Sequence, residues 1–238
     1  ISGTQRAAEA LTPSLTATVS TSPRSARASS HAARSPATNP TGTLFVGFDN
    51  NFRNGCRNQQ DTLGTKFPAE MIPRSGDPVD LPFKSLTAGV TGNGKTIRVN
   101  APDSFAAAML TDVPHNVRIT LQAKAEPNSC YFGLCVRGTG HYQQGCELRF
   151  EPARQRVQFG APKDGSMGEE SGHAIHHVEG LERPFTLDII LKDDIVDVCI
   201  DNRRTIIGRY KGDGDRLFFL AQNSNVVFVS VEIRHLLK

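Results

Sequence analysis

The sequence predicts an all-β protein, two antiparallel sheets packed face to face as a β-sandwich behind a disordered N-terminal tail. Three observations predict it. Apolar and polar residues alternate with a period of two through most of the second half of the chain, the pattern of a strand with one buried face. Between those runs lie Gly-Thr-Gly, Lys-Asp-Gly, Lys-Asp-Asp and Gly-Asp-Gly-Asp, which favour turns through the positive φ of Gly and the backbone hydrogen bonds of Asp. Beyond residue 43, no helical period is sustained over ten residues.

Residues 1–42 are rich in Ser, Thr, Ala and Pro and hold no aromatic side chain. They cannot bury enough apolar surface to offset roughly 1–2 kcal/mol of backbone entropy per residue. A disordered tail or interdomain linker is expected. This segment carries Arg6, Arg24, Arg27 and Arg34 against Glu9, which accounts for the whole formal charge of +3. The remainder is neutral and makes a poor nucleic-acid binder. No run approaches the roughly 20 apolar residues of a membrane-spanning helix.

Residues 43–100 read as an irregular lead-in with the first strands. Gly89-Val-Thr-Gly-Asn-Gly-Lys95-Thr96 fits the Gly-x4-Gly-Lys-Thr spacing of a phosphate loop. That chemistry needs a helix behind the loop, whose free N–H groups hold the phosphates. Here Ile97-Arg-Val99-Asn-Ala-Pro102 follows, alternating like a strand and meeting a proline. A strand-connecting turn is the expectation.

The sandwich is assigned to residues 101–238. Val117, Ile119, Leu121 and Ala123 share one strand face, as do Phe132, Leu134 and Val136, then Cys146, Leu148 and Phe150. Phe185, Leu187, Ile189 and Leu191 follow, then Val196, Val198 and Ile200. Runs at 205–210, 217–221 and 226–233 complete the series. Strands at this spacing, each with one apolar face, make two packed sheets.

Five cysteines without a Cys-x2-Cys pair give no zinc spacing, and Cys146 alternates with core residues. His173-Ala-Ile-His176-His177 follows a polar loop, with no second ligand cluster spaced to complete a metal site. The sequence therefore assigns neither metal nor cofactor.

The run Leu187-Asp-Ile-Ile-Leu-Lys-Asp-Asp-Ile-Val-Asp197-Val-Cys-Ile-Asp201-Asn-Arg-Arg-Thr205, followed by Ile206-Ile-Gly-Arg-Tyr210, resembles the C-terminal β-sandwich of glycoside hydrolase family 32. Phe132-Gly-Leu-Cys-Val-Arg137 and Glu147-Leu-Arg-Phe-Glu-Pro152 are similar to paired strands of that domain. The resemblance spans residues 101–238. It implies a concanavalin A-like jelly roll, related to carbohydrate-binding module family 66, and an extracellular or periplasmic setting. It also implies a partner, either a fructan-type glycan or a catalytic propeller that the sandwich braces. The family's catalytic carboxylates lie in Asn-Asp-Pro, Arg-Asp-Pro and Glu-Cys motifs of the propeller, and this chain has none of the three.

With Phe132 and Leu148 facing the core, Tyr131, Arg137, Glu147 and Arg149 fall on the opposite face of one hairpin. Together with Tyr142 and Asp197 they are the candidate carbohydrate-binding residues. With no Trp and three Tyr in the chain, a flat stacking platform is not expected, and a small polar pocket is. Three other readings stay open. These residues could be solvated sheet-face charges paired across strands. Glu147 and Asp197 could be the carboxylate pair of a stand-alone glycosidase. Or the sandwich could serve protein interaction, which an exposed apolar patch would favour and a polar pocket would not.

Overall fold

In the computed structural model, residues 72–162 and 173–237 are described. The tail assigned to residues 1–42 and residues 43–71 of the lead-in lie outside them. The described residues form strands β1 (Ser75–Pro78), β2 (Phe83–Ser85), β3 (Val90–Gly92), β4 (Ile97–Leu110), β5 (Val117–Ala125), β6 (Tyr131–Thr139) and β7 (Gln144–Glu151). These are followed by β8 (Arg156–Gly160), β9 (Ala174–Ile175), β10 (Phe185–Lys192), β11 (Ile195–Ile200), β12 (Arg204–Arg209) and β13 (Arg216–Leu236). One 3₁₀ turn, Pro152–Arg154, interrupts them.

Every strand pairing is antiparallel, along the path β12-β11-β10-β5-β13-β6-β7-β8-β9, with β4 and β1 also on β13 and β2 and β3 on β4. The sequence suggests two strands at 217–221 and 226–233, and the structure joins them into β13. Its first part pairs with β6 and its second with β5, so β5 and β6 lie end to end along one edge. The joint is a bulge with Asn223 at φ +46°, and a bulge bends and twists the strand that carries it. The Asn225 side chain pins this bend: its Oδ1 accepts from the Ala101 N–H at 3.1 Å and its Nδ2 donates to Glu126 at 2.9 Å. The bend separates a layer built on β5, β10, β11 and β12 from one built on β6, β7, β8 and β9.

The alternating residues meet between the layers. Phe132 of β6, Phe150 of β7 and Phe185 of β10 pack with ring centroids 5.3–6.1 Å apart, and Phe219 meets Phe228 at 5.1 Å. Cys146 packs in this core as its alternation suggests. A second apolar cluster covers the outside of the β4–β13–β6 ribbon, with Met109, Phe218, Leu220 and Tyr142. Here β13 is buried on both faces, which is why Phe218-Phe219-Leu220 is a continuous apolar run.

The Gly-x4-Gly-Lys-Thr segment is the β3–β4 hairpin. Asn93 Oδ1 accepts from the backbone N–H groups of Lys95 and Thr96 at 3.1 and 3.0 Å, and Gly94 sits at φ +84°. This is an Asn-centred turn between antiparallel strands, with no helix to hold phosphates.

Candidate functional site

Alternation that buries Ile119, Leu121, Leu187 and Ile189 turns Arg118, Thr120, Gln122, Thr186 and Asp188 outward on neighbouring strands. On β13, the bulge between Val229 and Glu232, with Ser230 at φ +53°, brings Ser230 and Glu232 alongside. These side chains floor a groove of about 850 Å3 whose rim is Pro78–Leu81 and the hairpin tip Asn93–Lys95. Cys199 and Asn202 line its far side.

The charges in the groove are paired. Arg118 donates from Nε and Nη2 to the two oxygens of Asp188, at 2.8 and 2.6 Å, a fork-on-fork geometry. That bond holds the Arg118 pKa above its ordinary value. Lys95 reaches Asp80 across the rim at 3.0 Å, and Arg234 holds Glu232 at 3.0 Å. Asp197 lies on the same outer face, one same-face step along β11 from Cys199 and between Ile190 and Ile207. Burial, with Asp188 adding like charge, pushes its pKa up to about 6. One of its oxygens is buried and without a hydrogen-bond partner.

The other sequence candidates stand on the opposite layer. Tyr131, Tyr142, Glu147 and Arg149 do come together, but inside the second apolar cluster rather than on an open face. Glu147 is fully buried. Tyr142, brought back over the face by a turn at φ +70°, donates to one Glu147 oxygen, and Arg149 Nε donates to the other at 2.7 Å. The Arg149 guanidinium lies 4.3 Å from the centre of the Tyr131 ring, a cation–π contact. Burial and the Glu147 charge hold the Tyr142 hydroxyl far above the usual phenol range, and burial pushes Tyr131 up to about 12. Both Glu147 oxygens are engaged, so the cluster ties β6 to β7 and presents little to a ligand.

Arg137 departs from the shared hairpin face. The register of β6 shifts between Val136 and Thr139, with Arg137 at φ +52°, and its side chain leaves toward Tyr210, whose carbonyl accepts from Nη1 at 3.0 Å. Burial lowers its pKa. Glu147 and Asp197 share no site either. Leu148 and Val198 enter one core, so their outward neighbours face away from each other across it. A retaining or inverting carboxylate pair flanks a single bond about 5–10 Å across, which two outward faces with a core between them do not provide.

The groove residues belong to no sequence motif, unlike those of the β6–β7 hairpin. The signal was present in the polar positions between the apolar ones at 117–123 and 185–191.

No family model matches this sequence, and no curated protein matches it. Among solved structures, the carbohydrate-binding module CBM66 from Bacillus subtilis is similar over 64% of this chain and 94% of its own, with TM-score 0.53 at 10% identity. The Ca2+-bound exoplasmic/lumenal domain of VIP36 gives TM-score 0.48 at 9% identity, over 67% of this chain and 84% of that one. An exo-inulinase from Aspergillus awamori gives 0.44 at 12% identity, over 76% of this chain and 31% of the enzyme. At these identities the likeness is one of fold. The protein is an antiparallel β-sandwich of the kind found in a carbohydrate-binding module.

Proposed function

We propose that this chain is a non-catalytic glycan-binding sandwich, of the accessory type seen beside glycoside hydrolase family 32 catalytic domains, and that a fructan-type glycan occupies the groove over β5 and β10. The observation that carries this reading is the groove itself: a concavity of about 850 Å3 floored by hydroxyl, amide and paired charged groups. Such a surface suits a polyol, whose hydroxyls both donate and accept. The protein-interaction reading has less support, because the exposed large apolar residues among those described are Ile207 on β12 and Leu237 beyond the end of β13, which do not make an apolar patch.

The test is electrophoresis of the protein through gels containing levan, inulin or xylan. Levan is expected to retard the wild type, and Thr120→Tyr, which fills the groove without breaking a strand, is expected to migrate freely. Unretarded wild type in all three gels would overturn the reading.

A further inference from the structure

This inference rests on the glycan-binding reading and names the chemistry the groove selects. We propose that the Arg118–Asp188 pair reads an uncharged vicinal diol, and that the groove turns away glycans carrying carboxylate or sulfate.

The pair is placed for this. Its bidentate bond uses Arg118 Nε and one N–H of Nη2, leaving further N–H groups on the guanidinium and a lone pair on each Asp188 oxygen. Each side chain is about three-quarters buried, at 25% and 24% exposure, and both line the groove. A donor and an acceptor therefore stand side by side, locked by their own ion pair. One hydroxyl of a diol accepts from Arg118 while its neighbour donates to Asp188, and both bonds are charge-assisted.

Charge balance gives the second half. Among the described residues the groove is lined by the cations Lys95 and Arg118 and the carboxylates Asp80, Asp188 and Glu232. Each cation already holds a carboxylate. An anionic sugar would find no unengaged cation among these residues, and the guanidinium nearest Glu232, that of Arg234, is held by Glu232 itself. Among the described residues no aromatic side chain lines the groove, so a ring meets no stacking platform there and its hydroxyls carry the recognition.

The experiment titrates the full chain with levan and xylan, each untreated or oxidised with periodate and then reduced with borohydride. That treatment splits the carbon–carbon bond between vicinal hydroxyls and leaves an uncharged polyol. Polygalacturonate, which keeps vicinal diols but adds a carboxylate on every residue, is the charged probe. A neutral untreated glycan is expected to bind, its oxidised form to lose about tenfold or more in affinity, and polygalacturonate to bind at least about tenfold more weakly. Asp188→Asn, similar in size but without the charge, is expected to lose about tenfold for the untreated glycan. Equal binding of oxidised and untreated glycan, or of polygalacturonate, overturns this assignment and leaves glycan binding standing. An unchanged Asp188→Asn affinity also overturns it. Failure of every untreated neutral glycan removes the underlying reading as well.

Discussion

Asp197 shows how burial turns an ordinary acid into a liability. Its pKa rises to about 6 in the folded protein, against about 4 for an unfolded aspartate. The native state therefore binds the proton more tightly, and stability falls as pH rises through the window from about 4 to 6. Asp197→Asn removes this penalty. The variant is expected to match the wild type near pH 4 and to exceed it at pH 7 by about 1–2 kcal/mol, allowing for the screening of a partly solvated group. Urea unfolding at the two pH values checks both the size and the direction. The outward position of Asp197 was legible in the alternation of Val196, Val198 and Ile200. Its elevated pKa was not, because that depends first on how deeply the neighbouring strands bury it and then on the charge of Asp188. Arg137 was misplaced for a related reason: a left-handed residue at a bulge reverses side-chain direction, and no period in the sequence marks it.

At the scale of the element, strands were legible wherever one face is buried and the other wet. β5 follows that pattern residue by residue, and β10 and β11 follow it except at Ile190 and Cys199, which are buried on the outward-facing positions. β6 and the first part of β13 do not, since both their faces are covered and the alternation is lost. The same two-sided burial is what closes the sequence-predicted cluster at Glu147. The length of β13 was also hidden, because the polar stretch Gln222-Asn-Ser-Asn225 parts two apolar runs and holds the bulge that bends the sheet. Asn225→Ala removes the acceptor for the Ala101 N–H and the donor to Glu126. It is expected to cost about 1–2 kcal/mol, seen as a lower urea midpoint with the same slope. A stability equal to the wild type would mean that the bend holds without this side chain.

At the scale of the whole molecule, the sandwich offers two outer surfaces with opposite character. One is sealed by Tyr142, Phe218 and Leu220 around a buried Glu147–Arg149 ion pair, and breaking such a pair is strongly destabilising. The other is open and polar, and the Arg118–Asp188 charges in its groove are paired. Fold class was legible because turn chemistry and alternation are local. The location of the groove depends on which of two outward faces the remaining chain covers, and that is set by the path of β4 and β13 through both layers.

Assignment of ligand contacts by NMR chemical-shift mapping with a short levan oligosaccharide tests the central claim most directly. The account predicts that the perturbed amides lie around Arg118, Thr120, Asp188 and Glu232, with the signals of Tyr131, Glu147 and Arg149 unmoved. Shifts gathered on β6 and β7 instead, or no shifts at saturating oligosaccharide, would contradict it.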